Sequence, residues 1–331
     1  MGRRKLPFFK GMDKVKQVIG PELQIFEQKF ADAVISNTPM LDRIMRYIIR
    51  RKGKQLRPMF VFLSAKLNGE VNERTYRAAA LVELLHTATL VHDDVVDESM
   101  ERRGFFSINA IWKNKIAVLV GDYLLSKGLL LATSNEDFKH LHLLSDAVRE
   151  MSEGELLQLK KTRKLDIDEA TYFEIIRGKT GSLLASACAV GAYSTSGDEA
   201  LTQRMKQFGE KVGIAFQIRD DLFDYSNDKV GKPTGNDIRE KKITLPLIHT
   251  LQKADRPLKS KIVYILKNEN KSNEHIRFVV DAVKSAGGIE YARATMLTYR
   301  DEALALLDHF PPSAVKEALI ELVQFTSDRK Y

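Results

Sequence analysis

Two copies of one acidic pattern stand out in the sequence, Asp93-Asp94-Val95-Val96-Asp97 and Asp220-Asp221-Leu222-Phe223-Asp224. Each copy lies among apolar residues, where an unpaired carboxylate costs several kcal/mol to bury. On a helix, the first and last Asp of each copy face the same way, because residues four apart share a face. Divalent cations relieve repulsion between such carboxylates, and Mg²⁺ prefers a few carboxylates together with phosphate oxygens. The pattern therefore predicts a site that holds Mg²⁺ against a phosphorylated ligand.

A single copy of this pattern has a simpler explanation, because acidic residues often occupy the solvated first turn of a helix. At average composition, however, two copies in one register are expected by chance in on the order of one chain in a few hundred. Both copies also have apolar neighbours, among them Leu90, Val91, Phe216 and Ile218. The pair therefore favours a functional site over solvated helix ends.

Basic residues accompany the acidic copies. Lys54 and Arg57, in the segment Gly-Lys-Gln-Leu-Arg-Pro, lie one helical turn apart, and such a pair can bind a diphosphate. Arg102 and Arg103 follow the first copy, and His86 precedes it by two helical turns. Each alone is equally well explained as a solvated cation or a core histidine, but together with two metal-type motifs they favour phosphate binding. Two further short basic segments are Lys179-Thr180-Gly181 and Gly231-Lys232-Pro233.

Positive charge is concentrated at the start of the chain. Residues 1–60 contain 14 Lys and Arg against 5 Asp and Glu, a net charge of +9, so the remaining residues sum to −1 within the overall net charge of +8. A basic segment of this kind suits anionic substrates, nucleic acid or an anionic membrane surface. The sequence has no zinc-finger spacing, no RNA-binding aromatic motif and no helix-turn-helix signature. We therefore expect no nucleic-acid partner.

Cysteine content and targeting signals indicate the compartment. One cysteine, Cys188, excludes an internal disulfide and fits a reducing environment. The first residues lead into no sustained apolar region, so no signal peptide is predicted. No run reaches membrane-spanning length, because Asp122 and Lys127 interrupt the best candidate, residues 116–133. We expect a cytoplasmic protein that makes peripheral contact with a membrane when an apolar ligand is present.

Apolar residues recur at intervals of three and four along nearly the whole chain, as at Leu41, Ile44 and Ile48. Alternating patterns typical of strands are nearly absent. Polar and glycine-containing breaks separate segments of about ten to thirty residues, a length typical of helices in a bundle. We predict an all-α fold and one domain over residues 1–331, with a basic segment and a helix within residues 1–30.

In this order, the motifs resemble those of the trans-isoprenyl (E-type) diphosphate synthases, the enzymes that elongate prenyl chains head to tail. The sequence around the first acidic copy is most similar to octaprenyl and related long-chain members. The matching segments are Gly-Lys-x-x-Arg-Pro at 53–58, Asp-Asp-x-x-Asp at 93–97, Arg-Arg-Gly at 102–104, Lys-Thr at 179–180, Phe-Gln-x-x-Asp-Asp-x-x-Asp at 216–224, Gly-Lys-Pro-x-Gly-x-Asp at 231–237 and Lys-x-Thr-Leu-Pro at 242–246. The resemblance implies an isoprenoid-synthase-type helical bundle around a deep central cavity, in a homodimer.

The resemblance also implies a role for each matching residue. About three Mg²⁺ ions per active site are expected to bridge the allylic diphosphate to Asp93, Asp97 and Asp220. Asp94, Asp221 and Asp224 are expected to support them, and Lys179 is counted with these six aspartates as catalytic. The residues expected to hold the allylic diphosphate are Arg102, Lys179, Thr180, Gln217 and Lys232. Those expected to hold isopentenyl diphosphate are Lys54, Arg57, His86 and Arg103.

The implied reaction is the Mg²⁺-dependent condensation of isopentenyl diphosphate with an allylic diphosphate such as farnesyl diphosphate. Ala88 and Thr89 occupy positions where short-chain members carry bulky aromatics that block the product tunnel. Small residues there favour a long all-trans product, around octaprenyl, for quinone side chains. Leu125 and Leu129 are candidates for the tunnel floor, although plain core leucines show the same spacing. A shorter geranylgeranyl or farnesyl product is the alternative.

Two positions depart from the family pattern. Phe105-Phe106-Ser107-Ile108 replaces a short Pro-Thr stretch, and Lys241 stands where glycine is usual.

Two other classes of protein share part of the pattern. A terpene cyclase has one Asp-rich motif, but its second metal motif normally contains Asn or Ser and Glu. A non-catalytic subunit of a heteromeric prenyl synthase typically lacks aspartates in one motif, and both motifs are intact here.

Overall fold

Helices follow the apolar period along the chain. The structure is a computed structural model that describes residues 11–51, 53–102, 104–165, 167–225, 235–268 and 271–327. Within these residues there are fifteen α-helices, and the all-α prediction is confirmed. They are α1 (Asp13–Val34), α2 (Pro39–Arg50), α3 (Leu56–Asn68), α4 (Glu73–Val96), α5 (Ile108–Thr133), α6 (Phe138–Lys164), α7 (Glu169–Ile176), α8 (Ser182–Ser196), α9 (Glu199–Phe223), α10 (Asn236–Arg239), α11 (Leu245–Lys253), α12 (Arg256–Lys267), α13 (Asn273–Ser285), α14 (Gly288–Leu306) and α15 (Ala314–Ser327). Two short antiparallel strands, β1 (Glu101–Arg102) and β2 (Phe105–Phe106), connect α4 to α5.

The chain forms two compact units. Unit 1 comprises Met1–Val148, Leu183–Gln207 and His309–Leu322. Unit 2 comprises Arg149–Ser182, Phe208–Asp308 and Val323–Tyr331. The first acidic motif belongs to unit 1 and the second to unit 2. A single domain over the whole chain stays a prediction.

The start of α4 is anchored in unit 1. The Asn72 side chain accepts a hydrogen bond from the N–H of Thr75 at 3.3 Å, and Thr75 Oγ1 accepts one from the N–H of Asn72 at 3.3 Å. This capping box satisfies N–H groups that the first helical turn leaves unpaired. Nearby, the ring of Phe62 contacts those of Phe26 and Tyr76, with centroids 5.9 Å and 5.3 Å away. These contacts fix one end of the helix whose other end carries the first acidic motif.

Helix α5 contains the apolar stretch of residues 116–133. Asp122 and Lys127 lie within this stretch without ending the helix, because the Asp122 side chain is 61% exposed and the Lys127 ammonium lies 5.7 Å from the Tyr123 ring centroid. The helix spans 26 residues with a kink at Lys113, whose φ is 71°, and by length and composition alone it could cross a membrane, with a mean hydropathy of 1.6 over its most apolar stretch. A core helix of a soluble protein meets the same criteria, so this is weak evidence.

Close approach of α4 and α5 depends on glycine. A Cβ at Gly121 would lie 2.0 Å from Nε2 of His92, and one at Gly128 would lie 3.1 Å from Cδ1 of Leu81. Nε2 of His92 also lies within hydrogen-bond distance of the Val118 carbonyl oxygen, at 3.2 Å. His92 therefore packs between the two helices and has a structural role.

Unit 2 has its own apolar core. Helices α9, α10, α11, α13 and α14 contribute buried aliphatic side chains, including Ile218, Ile238, Leu245, Ile248 and Val279. Helix α11 packs against α13 and α14. Five residues between α7 and α8, Arg177–Gly181, form a π-helical turn instead of continuing as α-helix. Such turns occur frequently at functional sites, and this one carries Lys179 and Thr180.

Candidate active site

The first acidic motif is held at the end of α4. Asp94 is 3% exposed, and its Oδ1 accepts hydrogen bonds from Nε and Nη2 of Arg102, both at 2.6 Å. Its backbone carbonyl accepts a hydrogen bond from Nδ2 of Asn109 at 3.1 Å. Burial raises the pKa of Asp94, and the charge of Arg102 opposes that shift. Asp94 therefore ties the strand that carries Arg102 to α4.

Both acidic motifs lie at the C-terminal ends of helices. Asp93 is half-buried in the last turn of α4, whereas Asp97 is exposed and follows the helix as its C-cap. In the second motif, α9 ends at Phe223, one residue before Asp224. The C-terminal end of a helix carries partial negative charge, which disfavours a carboxylate. The explanation by acidic first turns is therefore wrong, and a bound cation would relieve the unfavourable charge at both helix ends.

Two residues expected to bind isopentenyl diphosphate contact each other. Nη1 of Arg57 lies 2.8 Å from Nε2 of His86, which is 6% exposed. Because guanidinium can only donate, Nε2 is the acceptor, and the imidazole is in the tautomer protonated on Nδ1. Lys54 is exposed just before α3. Arg103, the fourth member of this set, lies outside the described residues.

In unit 2, a chain of hydrogen bonds leads to Asp221. Thr180 Oγ1 donates to Oε1 of Gln217 at 2.7 Å, and Nε2 of Gln217 donates to Oδ1 of Asp221 at 2.9 Å. The Tyr172 hydroxyl donates to Oδ2 of the same carboxylate at 2.7 Å. Burial raises the pKa of Asp221 to about 7, while the bonds from Tyr172 and Gln217 act in the opposite direction. These donors fix Asp221 beside the exposed Asp220.

Asp224 organises the segment that follows the second motif. Its carboxylate accepts hydrogen bonds from the N–H groups of Asn236 at 2.7 Å and Asp237 at 3.1 Å, at the N-terminus of α10. Burial raises the pKa of Asp224, and these backbone donors oppose the shift. Asp224 therefore joins the end of α9 to α10. Lys232, expected to hold the allylic diphosphate, lies outside the described residues.

The second motif lines a cavity of about 440 Å³ in unit 2. Lys179 lies at this cavity, where its Nζ is 2.5 Å from Oε2 of Glu155 and 3.2 Å from Oε1 of Gln158. The other polar side chains of the lining include Tyr172, Thr180, Gln217, Asp220, Asp221, Asp224, Asp237 and Lys242. The cavity thus combines ammonium groups with exposed and buried carboxylates, which suits a ligand with phosphate groups and metal ions.

Glycines allow the π-helical turn to lie close to its neighbours. A Cβ at Gly178 would be 2.8 Å from the Glu150 carbonyl oxygen, and one at Gly213 would be 2.7 Å from the Cα of Gly181. Contacts this short exclude any side chain without movement of the backbone. The turn that carries Lys179 is therefore packed directly against α6 and α9.

The carboxylates fit Mg²⁺, which binds oxygen ligands and usually keeps few protein donors. Asp97 and Asp220 are exposed and Asp93 is half-buried, whereas Asp94 and Asp221 are buried and hydrogen-bonded. Among the residues that the structure describes, no group of three or more His, Cys, Asp or Glu is arranged as a metal cage. Such a cage is not required when phosphate oxygens complete the coordination sphere.

The candidate chain-length residues have different environments. Ala88 is fully buried on α4, and the hydroxyl of the half-buried Thr89 donates to the His86 carbonyl at 2.9 Å. On α5, Leu125 is half-buried and Leu129 is 48% exposed. Their roles in setting product length stay predictions.

Several side chains that hold the motif residues were not expected from the sequence. They are Asn109, Glu155, Gln158 and Tyr172. The spacing of Gln217 and Asp221, four residues apart on one helix, is visible in the sequence. Tyr172 is 49 residues from Asp221 and has no local signal of this kind.

Comparisons with known proteins give one consistent result. The family described as polyprenyl synthetase matches residues 38–283. The octaprenyl diphosphate synthase of Escherichia coli K12 is 32% identical over 320 residues, 96% of this chain and 99% of that protein. Component 2 of the Bacillus subtilis heptaprenyl diphosphate synthase is 30% identical, over 95% of this chain and 89% of that protein. The geranylgeranyl diphosphate synthase of Saccharolobus solfataricus is 32% identical, over 90% and 92% respectively.

Solved structures agree. A polyprenyl synthase from Caulobacter crescentus CB15, complexed with calcium and isoprenyl diphosphate, superposes with a TM-score of 0.89 at 32% identity. The superposition covers 97% of this chain and 98% of that one. The all-α architecture is therefore shared with a polyprenyl synthase whose structure contains calcium and isoprenyl diphosphate.

Proposed function

Because the chain belongs to the polyprenyl synthetase family and is a prenyltransferase of isoprenoid biosynthesis, we propose that it adds isopentenyl diphosphate to an allylic diphosphate. The product proposed is a long all-trans polyprenyl diphosphate, around octaprenyl. One observation carries the proposal: both acidic motifs are intact, and in each a buried aspartate is hydrogen-bonded beside an accessible one. That arrangement suits metal-assisted departure of a diphosphate.

Asp93, Asp97 and Asp220 are the proposed Mg²⁺ ligands, with Asp94, Asp221 and Asp224 as supports. When bound, Mg²⁺ neutralises the charge that develops on a departing diphosphate. Calcium in the Caulobacter crescentus structure supports a divalent cation for this family. The proposal includes about three ions per active site, as the family resemblance implies. Phosphate oxygens of the substrate would complete the coordination shell of these ions.

Cations of the chain share this task. Lys179, Arg102 and Lys232 are proposed to contact the allylic diphosphate, with Thr180 and Gln217 as neutral partners. As its C–O bond breaks, negative charge grows on the leaving diphosphate, and fixed cations there stabilise the transition state more than the ground state. Lys179 is bonded to Glu155 in this structure, so binding of a diphosphate requires it to exchange that partner.

Lys54, Arg57, His86 and Arg103 are proposed to hold isopentenyl diphosphate with its double bond near the allylic cation. The double bond attacks the cation, a C–C bond forms, and loss of one proton to the departed diphosphate restores an alkene. No histidine base is needed for this step. The contact between Arg57 and His86 orients the guanidinium, which favours bidentate contact with phosphate oxygens.

Product length is the finer part of the proposal. The relatives named above make geranylgeranyl, heptaprenyl and octaprenyl products by their names, so similarity alone leaves the length open. The small residues Ala88 and Thr89 support a long product for quinone side chains. A geranylgeranyl or farnesyl product is the alternative.

The experiment is incubation of purified protein with Mg²⁺, labelled isopentenyl diphosphate and farnesyl diphosphate, with products resolved by chain length. We expect a ladder that ends near octaprenyl. Asp220→Asn should abolish it, while Asp301→Asn, at an exposed residue paired with Arg300, should not. A short end product would overturn the length, and no incorporation by the folded protein would overturn the reaction for the isolated chain.

The assembly is also proposed. Four apolar side chains on α5 are 40–61% exposed and form two pairs, Val118 with Leu119 and Leu129 with Leu130. The two pairs lie about three helical turns apart and therefore share one face of the helix. Covering such a face in a homodimer would bury it, and light scattering of the purified protein measures the mass directly. A heteromeric assembly is the second candidate, because one relative is named as component 2 of a synthase.

The proposal also includes a cytoplasmic location and peripheral contact with a membrane during product release.

A further inference from the structure

The short hairpin that carries Arg102 cannot hold its own conformation. Its strands, β1 and β2, have two residues each, joined through Gly104, which has a φ of 76°. Isolated two-stranded hairpins are marginal in water even when they are much longer. The position of the Arg102 guanidinium must therefore be set by contacts to other parts of unit 1.

One set of contacts comes from the residues just before the hairpin and from α4. Arg102 itself binds Asp94, as described above. At the end of β2, the N–H of Ser107 donates to the Met100 carbonyl at 3.0 Å, and the Ser107 hydroxyl donates to the Ser99 carbonyl at 2.6 Å. These bonds close the base of the hairpin, but they leave its aromatic strand to be held from elsewhere.

The second set comes from α2, and it contacts β2 directly. The Tyr47 hydroxyl donates a hydrogen bond to the Phe106 carbonyl at 2.6 Å. The Arg51 guanidinium lies over two rings, 3.5 Å from the centroid of Tyr47 and 4.5 Å from that of Phe105. The ring of Trp112 meets Tyr47 edge to face, with centroids 5.1 Å apart. We name Tyr47, Arg51 and Phe105 the aromatic clamp.

An arginine is required at the centre of the clamp. Its planar guanidinium stacks on ring faces, which a lysine ammonium does not do. Nη1 of Arg51 is buried without a hydrogen-bond partner among the described residues, so the ring faces provide its main compensation there. The second ring is supplied by Phe105, within the segment that departs from the family pattern.

We propose that Tyr47 and Arg51 are positioning residues that hold the Arg102 hairpin in its diphosphate-binding conformation. Arg51 is also the C-cap of α2 and lies three residues before Lys54. The clamp thus links the segment that carries Arg102, assigned to the allylic diphosphate, to the segment that carries Lys54, assigned to isopentenyl diphosphate. This inference rests on the proposed function for its kinetic part, whereas the conformational part can be measured without turnover.

The test uses three variants of the full chain. Tyr47→Phe removes one hydrogen bond and keeps the ring, and we expect an approximately fivefold increase in KM for the allylic diphosphate. Arg51→Met removes the stacked cation, and we expect an increase of about tenfold. Arg51→Lys keeps the charge without the planar stack and should rescue little of this loss. In all three, kcat should change less than KM, because Arg102 is displaced rather than removed.

Matched controls come from the same unit. Arg46→Met removes an equal charge from α2, at a residue paired with Asp42. Tyr123→Phe removes another hydroxyl that donates to a backbone carbonyl, that of Ile35 at 3.1 Å. Both controls should leave both KM values within twofold of the parent.

Hydrogen exchange and fluorescence supply readouts without turnover. Amides of residues 100–107 should exchange faster in the clamp variants, with the melting temperature close to that of the parent. Emission of Trp112, the single tryptophan, should change as well. If the parent elongates prenyl chains but the clamp variants keep parental KM values and exchange rates, the inference is overturned. If the parent does not elongate, the proposed function fails, and faster exchange with weaker binding of inorganic diphosphate still supports the clamp.

Discussion

The hydroxyl of Tyr172 and the carboxylate of Asp221 form a hydrogen bond of 2.7 Å in which both side chains are almost fully buried. A buried carboxylate is costly when charged, and burial raises the pKa of Asp221 to about 7. The bonds from Tyr172 and Gln217 reduce that cost by stabilising the charged form. The charge of the second motif therefore depends on a tyrosine that is distant in the sequence.

Tyr172→Phe should weaken use of Mg²⁺. The change keeps the ring but removes one of the donors to Asp221, which favours the protonated carboxyl and lowers the negative charge beside Asp220. Loss of such supporting partners typically costs 10- to 100-fold in metal affinity, so we expect the Mg²⁺ concentration for half-maximal rate to rise by about tenfold or more. Initial rates across a Mg²⁺ titration measure it.

Tyr291→Phe is the matched control, because the Tyr291 hydroxyl also donates to a carboxylate, that of Glu169, in the same unit. Neither residue lines the cavity. The control should keep the parental Mg²⁺ dependence. An unchanged titration in Tyr172→Phe would show that Asp221 does not support metal binding.

Gly213→Ala should destabilise the protein and reduce activity. Alanine is the better helix former by about 1 kcal/mol, but its Cβ would lie 2.7 Å from the Cα of Gly181. The π-helical turn would have to move, and Lys179 with it. We expect a lower melting temperature and a rate reduced by about tenfold, since misplacement of about 1 Å can cost up to 100-fold.

Gly20→Ala provides the contrast within a helix. At Gly20 the nearest atom to an added Cβ is Cγ of Lys16, at 3.9 Å, so there is room for it. Because Pro21 follows and disfavours helical backbone at a preceding residue that carries a Cβ, the gain in helix propensity is offset, and we expect the free energy of unfolding to change by no more than about 0.5 kcal/mol. If Gly213→Ala changed stability as little as Gly20→Ala, close packing at Gly213 would not matter.

Lys241→Gly should stabilise the protein. Lys241 has a φ of 60°, the left-handed conformation, which explains why glycine is usual at this position in the family pattern. Relief of the strain outweighs the greater freedom of glycine in the unfolded chain, and we expect a gain of about 1 kcal/mol. Lys241→Ala keeps the strain and should change stability by less than about 0.5 kcal/mol. Chemical denaturation of the parent and of the two variants measures their free energies of unfolding. Equal values for the parent and Lys241→Gly would contradict the expected relief of strain.

Stability should fall in acid because of His140. This imidazole is 1% exposed, and burial lowers its pKa to about 4, with Arg74 and Arg77 acting in the same direction and Asp137 opposing them. Between pH 6.5 and about 4, the unfolded chain binds a proton at this residue that the folded chain does not. The free energy of unfolding therefore decreases as the pH falls through this window, by at most about 1.4 kcal/mol per pH unit.

His140→Phe removes this proton uptake, so its stability should depend less steeply on pH in that window. Burial works against ionisation of Asp137, but Arg77 and Arg74 lower its pKa below the ordinary value of 3.8. The stability that the ionised Asp137 carboxylate contributes is therefore lost only at pH values below this window. Urea unfolding at several pH values measures both curves, and parallel curves for the two proteins would contradict the assignment to His140.

Ala88→Phe should shorten the product if Ala88 lines the tunnel. Because Ala88 is fully buried, a phenylalanine there can also destabilise the fold by about 1–3 kcal/mol. Thr89→Phe, at a half-buried position, is therefore the second variant. Product analysis of the folded variants should show a shorter ladder, and an unchanged ladder in both would remove these residues from the tunnel wall.

Much of the helical framework was predictable from the sequence. Apolar residues at intervals of three and four depend on local geometry, so the helices follow from short segments. The same geometry places Asp93 one turn from Asp97. Helix α5 shows the same, because the charged residues Asp122 and Lys127 lie within it without ending it.

What the sequence alone determined is therefore the type and order of the functional groups: two acidic motifs, accompanying cations and the family they resemble. Only the tertiary structure decided which aspartate of each motif is buried and which partner stabilises it. Tyr172 reaches Asp221 across 49 residues, and Tyr47 reaches Phe106 across 59. Helical spacing is set by neighbours along the chain, whereas burial and hydrogen-bond partners depend on how distant segments pack.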